Sequence, residues 1–361
     1  MSLAGLSGLI LATLAAFAAA AFPTLPAYLN VRDLCTGQQN FNGSDVIVYV
    51  SAIDKSLLDH ITIPVKYGHV WLPTPLSSYI SPSGASSGSF LAKNGIEFDQ
   101  ANCGDFPSDQ PWSVIIYVQL AGQGDKSPVV IPDPSAMNAA AVFKPDAPLT
   151  ILNPFYGSSQ GVKIDSISVD SGTAEIQSRR YGGVINPLFS VKAAQASEWK
   201  NTVVYGPIIQ VLSSSGSGRV NFGKPQGFSL YQKPSLRTRG IVMSPNYGVD
   251  NGIASFNFTL EETGLGKHKH PFYSITIRYV DTTMGTLVIQ GGSGRSSYTY
   301  TNQGEIKDQS LKEIKSNKVS ISYVSTAQNS GVLIEYLADA GSASMSVFMA
   351  VLMPLVFVLL K

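Results

Sequence analysis

Apolar and polar residues alternate along much of this chain, and this pattern constrains the fold more than any other feature. Between Phe272 and Val280, the side chains of Tyr273, Ile275, Ile277 and Tyr279 would lie on one face of an extended strand. Successive side chains of a β-strand point to opposite faces, so a period of two indicates half-buried strands. Helical spacing is almost absent between the two ends of the chain, and the sequence therefore predicts an all-β protein.

The same alternation recurs along the chain and is interrupted by Gly, Ser and Pro. Further examples are SDVIVYVSAI (44–53), WSVIIYVQLAG (112–122), KVSISYVS (318–325) and GVLIEYLA (331–338). Short strands separated by turn signals are typical of sandwiches and barrels. The polar stretch SSSGSG (213–218) predicts a hairpin loop rather than a phosphate site, because no helix follows it.

The length of the chain and its turn-rich stretches predict tandem antiparallel β-sandwich domains. The Gly- and Pro-containing segment GQGDKSPVVIPDPS (122–135) marks the first boundary. We expect an N-terminal β domain at 30–130, a middle β-sandwich at 138–234 and a last domain at 237–338. No internal repeat is visible in the sequence.

The N-terminal 21 residues predict a secretory signal peptide. Their apolar stretch, from about Leu3 to Ala21, ends in small residues at Ala19 to Ala21 before Phe22 and Pro23. A short apolar segment followed by small residues is the usual form of such a signal. An uncleaved membrane anchor is the alternative.

The C-terminal end predicts a glycosylphosphatidylinositol (GPI) attachment signal at 342–361. Its apolar run, Val347 to Leu360, has 14 residues and is followed only by Lys361. A spanning helix needs about 20 residues, whereas a short apolar tail preceded by small residues is typical of GPI attachment. The candidate attachment residues are Asp339, Ala340, Gly341 and Ser342. We therefore expect a protein on the outer leaflet of the plasma membrane or secreted, with a transmembrane tail as the alternative.

Composition and charge exclude one class of partner and favour an exported protein. The chain has 25 basic and 24 acidic residues, a net charge of +1, which gives no electrostatic basis for binding nucleic acid. Its two cysteines, Cys35 and Cys103, are expected to form a disulfide in an oxidising compartment, with two free thiols as the alternative. The sequons at Asn42 and Asn257 are candidate N-glycosylation sites.

Several segments of the last domain resemble a CUB domain. GIVMSPNYG (240–248) resembles the entry of that family, whose first strand leads into Ser-Pro-Asn-Tyr-Pro. FNFTLEE (256–262), YSITIRYVDTTMGTLVIQGG (273–292) and SNKVSISYVSTAQNSGVLIEY (316–336) resemble later strands in the same order. The resemblance implies a CUB-like jelly-roll sandwich over about residues 237–338. Cysteine-poor proteins of this kind are similar to a group of nematode CUB-like proteins linked to innate immunity and stress responses.

The segment departs from the CUB pattern at positions that the family uses for calcium. Two expected aspartates are replaced by Gly285 and Thr326, and Asp281 and Asp308 lie elsewhere in the segment. Calcium requires several oxygen ligands, some of them charged. We therefore expect no calcium or other metal site and no cofactor.

Signals for catalysis are weak. His268 and His270, in GKHKHPF, could hold a metal together with Glu261 or Glu262, but a solvated basic loop is the simpler interpretation. GSSQG (157–161) lacks the strand-to-helix junction of a nucleophile elbow, and the Asp-His neighbours in LLDH (57–60) have no nucleophile beside them. The sequence therefore predicts a protein that is not an enzyme.

The function expected from these features is recognition of a protein or glycan at the cell surface, with a role in host defence implied by the resemblance. Loops at one end of the last sandwich, in SPNYGVDNG, GLGKHKHP and STAQNSG, are the expected contacts. A secreted hydrolase or inhibitor and a structural component of a surface coat are the alternatives.

Overall fold

Strands predominate in the structure, a computed structural model of the chain. It describes residues 25–67, 69–80, 87–108, 112–122, 128–131, 139–153, 156, 160–179, 185–224, 226–227, 231–244, 247, 255–262, 271–292, 294–325 and 331–340. The predicted all-β fold class is confirmed. The chain divides into two compact units, Met1–Gln123 and Gly124–Lys361. The predicted signal peptide and the C-terminal apolar run lie outside the described residues.

The first unit contains one antiparallel sheet and two ribbons. Its strands are β1 (Ala27–Asn30), β2 (Gln39–Asn40), β3 (Val46–Ala52), β4 (Thr62–Tyr67), β5 (Val70–Pro75), β6 (Ser87–Ala92), β7 (Glu97–Phe98) and β8 (Val114–Leu120). The sheet has the order β1-β8-β3-β6, and β2–β7 and β4–β5 are separate two-stranded ribbons. Helix α1 (Val31–Thr36) follows β1, and three short 3-10 helices, Lys55–His60, Leu76–Ser78 and Cys103–Asp105, complete the described helices of this unit.

The core of the first unit follows the predicted alternation of β3. Val46, Val48 and Val50 are fully buried, as expected from their shared face. The disulfide between Cys35 and Cys103 joins α1 to the 3-10 helix Cys103–Asp105, with 5.4 Å between the two Cα atoms. It therefore links two segments of this unit that are far apart in sequence.

The second unit contains two β-sandwiches, which we call the second and third sandwiches because they follow the sheet of the first unit in the chain. The strands of the second sandwich are β9 (Val129–Val130), β10 (Ala140–Phe143), β11 (Leu149–Leu152), β12 (Gln160–Val169), β13 (Thr173–Arg179), β14 (Ile185–Lys192), β15 (Lys200–Val204), β16 (Ile208–Ser213), β17 (Gly218–Phe222) and β18 (Gln226–Gly227). One sheet has the order β10-β17-β12-β15, with β18 paired to β12, and the other has the order β14-β13-β16-β11-β9. A 3-10 helix, Ala193–Glu198, precedes β15.

The third sandwich follows directly. Its strands are β19 (Tyr231–Gln232), β20 (Thr238–Met243), β21 (Phe256–Glu261), β22 (Pro271–Asp281), β23 (Gly285–Gly291), β24 (Ser297–Thr301), β25 (Glu305–Ser310), β26 (Ile314–Lys315), β27 (Lys318–Ser325) and β28 (Val332–Ala340). One sheet has the order β19-β21-β27-β23-β24, and the other has the order β20-β28-β22-β25, with β26 paired to β22. The segments that resemble CUB strands all form strands of this sandwich.

The second and third sandwiches have the same topology, except that the two-residue strands β18 and β26 come at different points of the chain. When the sheets are superposed by strand order, β10-β17-β12-β15 corresponds to β20-β28-β22-β25, and β14-β13-β16-β11-β9 corresponds to β24-β23-β27-β21-β19. Even the parallel pairing of the first strand recurs, since β9 pairs with β11 and β19 pairs with β21. The turn after the second strand recurs as well, with Ala147 donating its N–H to Lys144 at 3.1 Å and Tyr247 donating to Ser244 at 2.9 Å. The second sandwich is therefore a structural repeat of the third.

The strand pairings place the domain boundaries differently from the predicted ranges. Val129–Val130 pairs with β11 and so belongs to the second sandwich, not to an N-terminal domain ending at 130. Tyr231–Gln232 pairs with β21 and so belongs to the third sandwich, not to a middle domain ending at 234. Ala27–Asn30 belongs to the first sheet. Pairings of two to four residues have too little alternation to be recognised in a sequence.

The loop at residues 213–218 differs from its predicted form. It does not close a hairpin, because β16 belongs to the sheet of β11 and β13 whereas β17 belongs to the sheet of β10 and β12. The polar turn therefore carries the chain from one layer of the sandwich to the other. Its composition indicates a turn but carries no information about which strands the turn joins.

A shared apolar core joins the second and third sandwiches. The buried cluster of the second sandwich extends to Ile241, Met243, Tyr247 and Leu333 of the third. Trp199, just before β15, forms a backbone bridge with Arg239 of β20. Burial of apolar surface is the main stabilising contribution to such a junction, so these two sandwiches form a continuous packed body.

Candidate functional site

The Ser-Pro-Asn-Tyr turn of the third sandwich directs Tyr247 toward the second sandwich. Ser244 donates its N–H to the Val332 carbonyl at 3.0 Å, and its hydroxyl accepts the Val332 N–H at 2.9 Å. Gly331 has a φ of 76°, and a Cβ on it would contact Ser244 and the Tyr247 backbone. A glycine is required there because other residues rarely adopt this conformation. The hydrogen bonds to Val332 and the close approach of Gly331 thus hold the turn in place.

A β-bulge in β22 places Tyr279 against Tyr247. The pairing of β22 with β28 shifts between Ile277 and Tyr279, so Arg278 is the extra residue. Beyond the bulge Val280 is fully buried, and Tyr279 is only half-buried. The prediction that Tyr279 shares the core face of Ile277 is therefore wrong, because one inserted residue moves the side chains that follow to the opposite face.

These side chains line a cleft between the second and third sandwiches with a volume of about 620 Å³. Strands β13 and β14 contribute Glu175, Asn186 and Leu188, and the third sandwich contributes Tyr247, Arg278, Tyr279, Glu305, Lys307 and Asp308. Small-molecule sites commonly have volumes of about 300–1,000 Å³. The cleft therefore has the size of a binding site and is mostly polar.

The polar groups around Tyr279 hold one another in place. Its hydroxyl donates to Glu305 at 3.2 Å, and Lys307 lies 2.6 Å from Glu305 and 5.5 Å from the centre of the Tyr279 ring. Tyr247 packs edge-on against Tyr279, with 5.8 Å between ring centres. The hydrogen bond from Lys307 lowers the pKa of the Glu305 carboxyl, so this carboxylate remains ionised into mildly acidic solution.

A network of alternating acidic and basic side chains extends to the cleft. Glu198 of the second sandwich binds Arg239 at 2.5 Å, and Arg239 lies 3.3 Å from Glu335. Glu335 also binds Arg278 at 2.6 Å, and Arg278 binds Asp308 at 2.8 Å. Glu335 is thus the shared partner of two arginines. The network runs from the junction of the sandwiches to the wall of the cleft.

Replacing Glu335 with glutamine should destabilise the second unit by about 2–3 kcal/mol. The side chain of Glu335 is 11% exposed, and its loss of charge would leave Arg239 and Arg278 close together without the carboxylate between them. Breaking a buried pair costs about 3–5 kcal/mol, and partial exposure of both arginines reduces that figure. The shift in the midpoint of urea denaturation measures the effect.

Glu305→Gln is the matched control for Glu335→Gln. Glu305 is paired with Lys307, but its side chain is 52% exposed, and surface ion pairs contribute about 0–1 kcal/mol. Equal shifts for the two variants would contradict a structural role for the Glu335 network.

One amide nitrogen of the cleft residues lacks a hydrogen-bond partner among the described residues. It is the buried side-chain nitrogen of Asn186, in β14. Unsatisfied buried donors are uncommon because they cost about 1–3 kcal/mol. The nitrogen is not accessible from the cleft in this structure, so a rotation of the Asn186 side chain is needed before a ligand can accept this hydrogen bond.

The residues predicted as sites from sequence are not among those that line the cleft. Asn42 and Asn257 are both exposed, the second on the outward face of β21. Asp339 pairs with Phe272 and Ala340 with Pro271 at the end of β28. Gly341 and Ser342 lie outside the described residues. The predicted glycosylation and attachment sites therefore stay predictions.

The positions considered for metals are not brought together among the residues that the structure describes. Asp281 accepts the N–H of Thr283 at 2.9 Å, and Asp308 is paired with Arg278. No group of three or more His, Cys, Asp or Glu side chains that could hold a metal occurs in the described part of the chain. His268, His270 and Thr326 lie outside it, as do most residues of the three loops expected to contact a ligand.

Sequence reasoning did not identify the cleft. Arg278 occupies the polar position that follows Ser274 and Thr276 in the alternation, so nothing in the sequence marks it as the extra residue of a bulge. Glu175 and Asn186 carry no signal either, because polar residues are common in strands. They become part of a site only through the packing of one sandwich on the other.

Comparisons with known proteins do not assign this chain to a family. No family model and no curated protein matches the chain. Solved structures similar to it include the CUB2 domain of MASP-1 bound to Ca²⁺, with 17% identity and a TM-score of 0.20 over 27% of this chain and 91% of that one. The CUB1-EGF-CUB2 segment of human MASP-1/3 is similar with 9% identity and a TM-score of 0.21, over 56% of this chain and 94% of that one. Likeness at this level carries no argument about activity or ligand.

Across the described residues, no helix has the length and apolar character needed to cross a membrane.

Proposed function

We propose that this chain is an extracellular binding protein whose cleft holds a saccharide. The observation that carries the proposal is the polar cleft itself, lined by two tyrosines in edge-to-face contact, an amide nitrogen without a partner among the described residues and several charged groups. Tyrosine offers an apolar ring face together with a polar tip. Sugars have apolar ring faces and hydroxyls that both donate and accept, so their chemistry complements such a lining.

The charges of the cleft favour a neutral saccharide over a phosphate or another anion. Arg278 and Lys307 are each paired with carboxylates at 2.6–2.8 Å. An anion would have to compete with Glu305, Asp308 and Glu335 for these cations. Sugar hydroxyls, in contrast, can donate to the carboxylates without disturbing the pairs.

The described residues give less support to a hydrolase. Catalysis by a Ser-His-Asp arrangement needs a histidine within hydrogen-bond reach of both a nucleophile and an acid. His60 lies 3.5 Å from Asp105, but its side chain is 43% exposed and no hydroxyl contact to it is present in the described part of the first unit. A binding function therefore agrees better with the geometry.

Replacing Tyr279 with alanine should weaken saccharide binding by about tenfold or more. The change removes a ring of the cleft lining that packs edge-on against Tyr247, and central aromatic residues often contribute at least this much to binding. The experiment screens residues 25–340 on a glycan array and then measures the affinity of a bound glycan by calorimetry. Asn186→Ala should also weaken binding, with little loss of stability, because the side-chain nitrogen that it removes has no partner among the described residues.

Tyr298→Ala is the matched control. Tyr298 is a half-buried tyrosine of β24, in the other sheet of the third sandwich, and it does not line the cleft. It should leave affinity unchanged. The proposal fails if no glycan binds, or if Tyr279→Ala and Tyr298→Ala have equal effects on binding.

The location of the protein forms a second part of the proposal. The apolar run after Asp339 supports attachment to a GPI anchor at the outer cell surface, and the resemblance to nematode CUB-like proteins supports a role in host defence. Treatment of cells with a phospholipase specific for the anchor should release the protein. Retention on the treated cells would contradict anchoring, and unchanged survival of gene-deleted animals on a pathogen would contradict the defence role.

A further inference from the structure

The ribbon formed by β4 and β5 projects from the core of the first unit. At its base, Ile61, Ile63 and Leu76 are buried in that core. Toward the turn between the strands the residues become exposed, and every residue of β5 except Thr74 is exposed along its length. In the residues that the structure describes, this ribbon pairs with no other sheet.

The far end of the ribbon is apolar on both of its faces. Val70, Trp71 and Leu72 are 58%, 63% and 47% exposed, and they are consecutive in β5. Because neighbouring side chains of a strand alternate, Val70 and Leu72 lie on one face and Trp71 lies on the other. Contiguous exposed apolar surface of this kind marks an interaction site.

The charged residues of the ribbon and its flanking sequence are basic, and the nearby carboxylates of Asp99 and Asp59 contact Thr62 and Ser77 at its base. Residues 60–96 contain no Asp or Glu, whereas they include Lys66, His69 and Lys93. Lys66 pairs with Trp71 across the ribbon, and its ammonium lies 5.9 Å from the centre of the indole ring. The end of the ribbon therefore combines an exposed tryptophan, aliphatic side chains and positive charge.

We propose that the end of the β4–β5 ribbon inserts into the interfacial layer of a lipid bilayer and prefers anionic headgroups. A flat protein surface would cover only one face of the ribbon and leave the other apolar face in water. A bilayer interface surrounds the inserted end and covers both faces. Tryptophan and lysine are the residues that favour this layer, and basic residues are attracted by anionic lipids.

Tryptophan fluorescence can test the insertion directly. Of the three tryptophans of the chain, Trp112 and Trp199 are buried, so Trp71 is the one whose surroundings would change at a membrane. Residues 25–340, made without a lipid anchor, would be mixed with phosphatidylcholine vesicles with and without phosphatidylserine. The emission should shift to shorter wavelength and the protein should sediment with the vesicles, more strongly when phosphatidylserine is present.

Two pairs of variants distinguish insertion of the ribbon from nonspecific adsorption to vesicles. Trp71→Ala should abolish the spectral shift and lower the vesicle partition coefficient by about tenfold. Leu72→Ala should weaken partition, whereas Leu91→Ala should not, although Leu91 is an equally exposed leucine of β6 in the same unit. Likewise, Lys66→Glu should weaken binding to phosphatidylserine vesicles more than Lys93→Glu.

The proposal is overturned if neither kind of vesicle shifts the emission, or if Leu91→Ala weakens partition as much as Leu72→Ala. A shift produced by a protein partner in the absence of any response to vesicles would also overturn it. Because the variants lie in the first unit and the assay contains no glycan, failure here leaves the saccharide proposal unaffected.

Discussion

Replacing Trp199 with alanine is expected to destabilise the second unit by about 3–5 kcal/mol, the largest effect of any single substitution considered. Trp199 is 2% exposed and stacks on Phe189 with 4.4 Å between ring centres. Its backbone also bridges to Arg239, and Glu198 beside it binds the same arginine. Truncation would leave a large cavity at the junction of the two sandwiches, and large-to-small changes of this kind cost about 3–5 kcal/mol.

Two other tryptophan variants make the result specific. Trp199→Phe keeps an aromatic ring against Phe189, and the indole N–H that it removes has no hydrogen-bond partner among the residues that the structure describes. It should therefore cost about 1.5 kcal/mol or less. Trp71→Ala removes an exposed tryptophan and should change stability by less than about 0.5 kcal/mol. Urea denaturation followed by circular dichroism compares the three, and equal midpoints for Trp199→Ala and the wild type would contradict a packing role at the junction.

Removing the disulfide with a Cys35→Ala and Cys103→Ala double variant should destabilise the first unit by about 4 kcal/mol. The bond closes a loop between positions 68 residues apart, and the chain-entropy model gives about this value for a loop of that length. The double variant avoids leaving an unpaired thiol. Hydrogen exchange read by mass spectrometry follows the two units separately.

The second unit contains neither cysteine and supplies the internal control for this variant. Its exchange rates should not change, whereas amides of β3 and β8 in the first unit should exchange faster. Unchanged protection of β3 and β8 would show that the disulfide contributes little to the stability of this unit. Equal loss of protection in both units would contradict their independence.

The strands were predictable because alternation is a local property. Val46, Val48 and Val50 are buried together as their spacing indicates, and so are Ile275 and Ile277. The side-chain direction of a strand residue depends on its own backbone and on its neighbours. Such information is present in any short window of the sequence.

The prediction from alternation was wrong where a bulge interrupts strand β22. Tyr279 should follow Ile277 on the core face, but the extra residue Arg278 reverses the faces beyond it, and Val280 is buried instead. A bulge is stabilised by contacts distant in sequence, here the pairs of Arg278 with Glu335 and Asp308. The failure occurs at the candidate site, where bulges often redirect a side chain.

The repeat was also hidden from sequence reasoning. Pro145-Asp146 follows Phe143 just as Pro245-Asn246 follows Met243, but little else is shared between the two turns. The corresponding core positions require apolar side chains and not particular ones, so two sandwiches can keep one topology while their sequences diverge. Strand order, which only the pairing of distant segments reveals, established the relationship.

The sequence by itself determined the class of fold, the strands and most turns, because alternation and the conformational preferences of Gly and Pro act over a few residues. The tertiary structure alone decided which strands pair, where Tyr279 points and how Asn186 comes to face residues about a hundred positions away. Those outcomes depend on burying apolar surface between segments that are distant in the chain. The cleft exists because the second sandwich packs on the third, and no local pattern encodes that contact.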